Sequence, residues 1–115
     1  MALGSIAVKY TEDGDLLSVG SFSFQVLYTP GHAVGHISLF SDRLENSFAA
    51  PILIAGDALF KGSIGRTDLP GGNHQELLDS ISNKIFTLPT NTVVCSGHGP
   101  NTTVGIEKKT NPFFT

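Results

Sequence analysis

The run Pro51-Ile52-Leu53-Ile54-Ala55, closed by Gly56-Asp57, constrains the fold more than any other stretch. An unbroken apolar run of this length fits a central strand buried on both faces, as in an α/β sheet. A carboxylate directly after such a strand is costly to bury unless it is paired or holds a metal. Locally, Asp57 reads equally well as a ligand and as a helix cap or turn residue. Two other stretches repeat the pattern. Phe22–Tyr28 is an apolar, alternating run that reads as a strand, and it leads into Thr29-Pro30-Gly31-His32-Ala33-Val34-Gly35-His36. Pro30 and Gly31 break that strand, and the next one is Ile37–Phe40. Thr92-Val93-Val94-Cys95 reads as a third short buried strand, ending in Ser96-Gly97-His98-Gly99-Pro100.

The segments between these strands supply the rest of an α/β unit. Leu16–Val19 reads as a strand, joined through Gly20-Ser21 to the Phe22–Tyr28 strand in a tight hairpin. The polar stretch from Ser41 to Ala50 reads as a solvated loop. Residues 58–72 are irregular and glycine-rich, and a loop this long in a small domain is usually functional. Within it Arg66 and Asp68 are placed to pair and brace the backbone, while Lys61 reads as a solvated charge. Asn73 is a good N-cap with Glu76 three residues on. Leu77, Leu78, Ile81, Ile85 and Phe86 recur at helical spacing up to Pro89. His74, in the first turn, reads as exposed. Thr102 or Thr103 caps a last short helix through Lys109, ended by Asn111-Pro112. Residues 1–12 read as a tag or poorly ordered start, and 13–115 as one domain.

Composition removes several function classes. A net charge of −3 with no basic run gives nucleic acid no electrostatic footprint. No apolar run is long enough to span a bilayer, and the N-terminus lacks the pattern of a signal peptide. Cys95 is the one cysteine, which excludes an internal disulfide framework. It reads as a small core hydrophobe inside its strand, not as a nucleophile. These features together describe a cytoplasmic protein.

A histidine in a turn is more often a surface or capping residue than a ligand. Here, though, three apolar strands each end in a glycine-flanked polar residue: His32, Asp57 and His98. Where neighbouring strands run the same way, their carboxyl ends share one edge of the sheet, and sites form there. Imidazole plus carboxylate suits zinc, iron or manganese. Three such endings weigh toward a metal site over three unrelated turns.

The stretches TPGHAVGH at 29–36, AGDALFKGSIGRTDLPGG at 55–72 and SGHGPNT at 96–102 resemble the metallo-β-lactamase-fold hydrolases. They are most similar to the short bacterial glyoxalase II-like (hydroxyacylglutathione hydrolase-like) branch, as is the closing run from Glu107 to Phe113. The resemblance covers about residues 13–114. It implies the C-terminal half of an αββα sandwich, a mixed sheet with helices on one face. It implies that His32 ligates one metal, that Asp57 bridges two and belongs to the catalytic machinery, and that His98 ligates the second. His36, Arg66 and Asp68 match residues expected to brace the loops. The implied cofactor is zinc, with iron or manganese as alternatives, one or two ions in the complete site. The implied reaction is attack of a metal-bound hydroxide on a small-molecule thioester.

The departure from the family pattern is specific. The family carries an upstream His-x-His-x-Asp-His motif with four further ligands. This sequence has four histidines in all, His32, His36, His74 and His98, and none precedes His32. Three ligands divided between two ions hold metal weakly, so the chain by itself is expected to be catalytically incompetent and active only with a partner half, if at all. A half sandwich is also expected to leave one apolar sheet face uncovered, and to cover it by homo-oligomerisation or with a partner chain.

Overall fold

The computed structural model describes residues 13–19, 22–33, 36–42 and 50–114. The expectations for residues 1–12, for the Gly20-Ser21 turn and for most of the polar loop lie outside the described residues. The described elements are β1 (Leu16–Val19), β2 (Phe22–Tyr28), β3 (Ile37–Ser41), β4 (Ile52–Gly56), β5 (Leu59–Phe60), β6 (Ser63–Ile64), α1 (His74–Ser80), β7 (Val93–Ser96), β8 (Thr102–Thr103) and α2 (Val104–Thr110). A π-helical turn, Ile81–Ile85, extends α1.

The main sheet has six strands in the order β1-β2-β3-β4-β7-β8. Every pairing is antiparallel except β4 with β7. Two antiparallel steps separate β2 from β4, so β2, β4 and β7 run in the same direction and their carboxyl ends share one edge. His32, Asp57 and His98 follow those three ends. The register shifts between Ile54 and Gly56, so the end of β4 is irregular just before Asp57. Irregularities of this kind re-aim the side chain that follows.

Both helices lie on one face. Leu27, Leu53, Ala55 and Val94 from the sheet form one core cluster with Leu77, Ile81, Ile85 and Phe86 from the α1 segment and Val104 from α2. Asn73 caps α1 as its sequence indicates, its Oδ1 accepting the Glu76 N–H at 2.9 Å. Thr103 caps α2, its Oγ1 accepting from the Ile106 N–H. The α1 segment turns out shorter than the span from Asn73 to Pro89. It leaves α-helical geometry after Ser80 and closes with the Phe86 N–H on the Ile81 carbonyl.

The opposite face corrects two expectations. Strand β4 is buried on the helix side only: Leu53 and Ala55 are buried, whereas Ile52 and Ile54 are half-buried. The reason is that no helix crosses that side among the described residues. The other face is not bare throughout. Phe24, Val26, Ile37 and Leu39 are buried there, with Leu17, Tyr28 and Ile54 packed against them. The part left partly open lies at β4 and β7, where Ile52, Ile54, Val93 and Cys95 share the face by register. A third difference is the hairpin β5–β6 inside the stretch read as irregular, pairing Leu59 with Ile64 and Phe60 with Ser63. Two-residue strands are too short for periodicity to reveal.

The turn that carries His32 is seated on α1. The Asn73 N–H donates to the Gly31 carbonyl at 2.7 Å, and the Ser80 hydroxyl donates to the Pro30 carbonyl at 2.7 Å. Gly31 has φ +129°, and a Cβ there would overlap the backbone of Leu77. No side chain fits between this turn and the helix. Gly31→Ala therefore combines backbone strain with a clash against main chain, and about 2–4 kcal/mol of lost stability is expected in urea unfolding followed by circular dichroism.

His36 leads into β3 and donates from Nε2 to the Ala55 carbonyl at 3.1 Å. Burial pushes its pKa below the ordinary value of 6.5, against the opposing pull of that carbonyl. The fold thus keeps the neutral ring. As pH falls, the unfolded chain takes up this proton before the folded chain does. The stabilisation is complete above about pH 6.5 and is lost as pH falls through the lower folded value. Urea midpoints should drop as pH falls below about 6.5 in the wild type, and should drop less in His36→Gln.

Candidate metal centre

Asp57 lies between two imidazoles. His32 Nε2 is 3.8 Å from Oδ2, and His98 Nδ1 is 3.6 Å from Oδ1. Each histidine therefore approaches a different oxygen of one carboxylate. The three side chains differ in exposure: His32 is 21% exposed, Asp57 46% and His98 81%. The site is a rim at the sheet edge, open on the side of His98.

Backbone contacts aim these groups. His32 Nδ1 lies 2.8 Å from the Arg66 carbonyl oxygen. A carbonyl only accepts, so Nδ1 carries a proton, and Nε2 is the nitrogen that faces Asp57. This is how a metal-binding imidazole is ordinarily oriented, by a hydrogen bond on its second nitrogen. The ring of His98 packs on Phe60, centroids 4.8 Å apart. The Gly97 N–H donates to the Gly56 carbonyl at 2.6 Å, which ties the end of β7 to the end of β4. A Cβ on Gly97 would overlap Asp57 Oδ1, so the carboxylate has its room only because residue 97 has no side chain.

The three residues expected to brace the loops stand close by. Arg66 forms a bidentate pair with Asp68, 2.8 Å from Nε and 2.9 Å from Nη2. That pair is exposed, and the Arg66 guanidinium holds the Asp68 carboxyl below its ordinary value. The part of Arg66 that reaches His32 is its carbonyl, which composition alone does not reveal. His36 commits Nε2 to Ala55 and meets His32 edge-on, ring centroids 6.1 Å apart. Phe60, on β5, was not singled out by its sequence context, because the hairpin that brings it to His98 carries no periodic signal. Among the described residues, no three His, Cys, Asp or Glu side chains converge as one ligand group for a metal ion. Burial pushes the Cys95 thiol pKa up, which keeps it protonated.

Comparison with known proteins gives this geometry its context. The chain matches the family model described as the metallo-beta-lactamase superfamily over residues 5–98. It is 48% identical over 102 residues to the probable metallo-hydrolase YqgX of Bacillus subtilis, covering 89% of this chain and 45% of that protein. It is 38% identical over 105 residues to the hydroxyacylglutathione hydrolase GloC of Haemophilus influenzae, covering 91% of this chain and 47% of that one. Among solved structures, BLEG-1 B3 metallo-beta-lactamase superposes with a TM-score of 0.78 at 50% identity, over 90% of this chain and 46% of that one. TTHA1623, in a di-iron-bound form, superposes with a TM-score of 0.73 at 40% identity, over 89% of this chain and 46% of that one. The chain thus spans about half the length of the relatives it matches. The matched residues include all three strand ends, and the chain belongs to the metallo-beta-lactamase superfamily.

Proposed function

We propose that this chain supplies three ligands of a dinuclear, metal-dependent hydrolase of the glyoxalase II type, and that it is not catalytically competent by itself. The observation that carries this reading is the carboxylate with an imidazole at each oxygen. Two donor atoms held about 2.1 Å from one ion at tetrahedral angles lie about 3.4 Å apart. The His32–Asp57 and His98–Asp57 separations of 3.8 and 3.6 Å are close to that spacing. The donors therefore fit two ions sharing one carboxylate better than one ion with three ligands, consistent with the lack of a three-residue ligand group among the described residues.

A bound divalent ion would supply Lewis acidity toward a carbonyl oxygen and would acidify a coordinated water. The chain's own groups do the positioning. Arg66 fixes the protonated nitrogen of His32, Gly97 leaves space for Asp57, and Phe60 limits the swing of the exposed His98 ring. Zinc is the proposed ion, and iron or manganese would accept the same nitrogen and oxygen donors. The di-iron form of TTHA1623 supports that latitude. A thioester is the proposed substrate class, supported by the 38% identity to GloC. A cytoplasmic setting belongs to the same reading and is supported by the single cysteine, which leaves no internal disulfide framework. No helix among the described residues is long and apolar enough to cross a membrane.

The missing ligands would come from a polypeptide bearing the His-x-His-x-Asp-His motif that this sequence lacks. The half-buried residues Ile52, Ile54 and Val93 offer the face on which a second copy or such a partner half would pack. Zinc titration with glutathione-thioester hydrolysis tests the assignment, on the chain alone and mixed with the N-terminal half of the Bacillus subtilis relative. Expected are weak zinc binding and no turnover alone, and tighter binding with turnover in the mixture. His98→Ala should lower zinc affinity about 10- to 100-fold in the mixture. Tight binding and full turnover by the chain alone would overturn the incompetence, and failure of every mixture to bind zinc would overturn the site. Sedimentation tests the surface separately. The chain should associate at tens of micromolar, and Ile54→Lys should return it to monomer; a wild-type monomer at that concentration rejects self-association.

A further inference from the structure

We propose that Glu107, buried on the far side of the β5–β6 hairpin, is a positioning residue for the metal centre. The purpose assigned to it rests on the metal-site reading above. Glu107 is 1% exposed, and among the described residues it makes no ion pair. A carboxylate in that setting is costly unless each oxygen is hydrogen-bonded. Both are. Oε1 accepts from the Gly62 N–H at 2.8 Å and from Asn111 Nδ2 at 3.0 Å, and Oε2 accepts from the Thr102 hydroxyl at 2.6 Å. Asn111, itself buried, also donates to the Ser63 carbonyl at 3.0 Å.

Two of these contacts fall on the backbone of the hairpin turn. That hairpin carries the groups that touch both imidazoles. Phe60, on β5, packs on His98. Arg66 follows β6 by two residues and accepts from His32. Between them, the Gly65 N–H donates to the Ala58 carbonyl at 3.0 Å, and the Leu59 carbonyl accepts the Ser96 hydroxyl at 2.6 Å. The hairpin is two residues per strand, too short to hold its own geometry. Besides the buried Leu59 and Ile64 and the Ser96 bond, it is held from α2, through Glu107 and Asn111. A leucine at 107 would leave the Gly62 N–H, the Thr102 hydroxyl and Asn111 Nδ2 without this acceptor. Glu107 therefore acts at a distance: it fixes the hairpin, and the hairpin fixes the tautomer and orientation of His32.

The test reads His32 in the metal-free chain, by long-range proton–nitrogen NMR of the imidazoles at about pH 8, where neutral rings report their tautomer. The wild type should show His32 protonated at Nδ1. Glu107→Gln keeps an oxygen for Gly62 and Asn111, while the Thr102 hydroxyl turns to accept from the new amide; it should keep that tautomer. Glu107→Asp retains the charge but loses the reach to Gly62, and Glu107→Ala loses both; each should give mixed tautomers. Thr102→Val removes a bond to the same carboxylate without touching the hairpin, so it should lower stability and leave His32 unchanged. Should Glu107→Ala fail to fold, Glu107→Asp carries the comparison. Folded Asp and Ala variants with a wild-type His32 signal would overturn the proposal, as would a Gln variant as disturbed as Asp. Zinc affinity, measured on the complemented protein, should fall about tenfold in Glu107→Asp and stay within about twofold in Glu107→Gln. Absence of zinc binding in every variant, with the tautomer still responding, would remove the metal reading and leave the positioning role intact.

Discussion

The parallel pairing of β4 with β7 is the constraint on which the other features depend. Parallel neighbours cannot be joined by a tight turn, so the chain must leave the carboxyl end of β4, cross a face of the sheet and return. Residues 57–92 make that crossover. Because it begins at the carboxyl end of β4, its first part, the β5–β6 hairpin and the Arg66 stretch, is laid over the same edge where His32 and His98 stand. Its second part, α1 and the π-helical turn, buries Leu77, Ile81 and Ile85 on one face. The site and the core are thus two ends of a single connection.

The sheet edge was legible from its strand endings. His32, Asp57 and His98 each follow a run whose apolar character marks it as a strand, and each strand is present within a residue or two of its expected bounds. Their meeting at one edge follows from β2, β4 and β7 running the same way. The Asn73 cap and the α1 apolar positions were legible for the same reason: caps and 3.6-residue periodicity are local properties. What escaped was non-local. The hairpin β5–β6 has no period to detect. The Arg66 carbonyl is a main-chain group, invisible to any reading of side-chain chemistry. Glu107, beside two lysines, gives no sign of being buried: Asn111 stands four residues on, at helical spacing, but Gly62, 45 residues away, is placed by the fold.

The second sheet face shows a different limit. An unbroken apolar run at Pro51–Ala55 signals burial but not on how many sides. In the structure Leu53 and Ala55 lie beneath the helices, while Ile52 and Ile54 face the other way and are only half-buried. The sequence of β4 is therefore more apolar than its described surroundings require. The excess is concentrated at β4 and β7, since Phe24, Val26, Ile37 and Leu39 on the same face are already buried. On the proposed reading, an apolar excess confined to two adjacent strands would serve as the surface on which a second copy or a partner half packs.

Core and chemistry are divided unequally in this half of a sandwich. The helix-side core uses residues from both helices and five strands, and these side chains are fully or nearly buried without help from another chain. Folding energy of that kind is self-contained. The proposed metal site is not: a carboxylate with an imidazole at each oxygen would offer two ligands to either of two ions, and a firmly held catalytic ion ordinarily has at least three. The same strand ends that are rigid enough to hold His32, Asp57 and His98 in place therefore define what must be added. On the proposed metal reading, further donors would approach from the open side of Asp57, beside the exposed His98 ring. On that reading a completing donor and a substrate would share one opening, so completing the metal site and shaping the substrate pocket would be the same event.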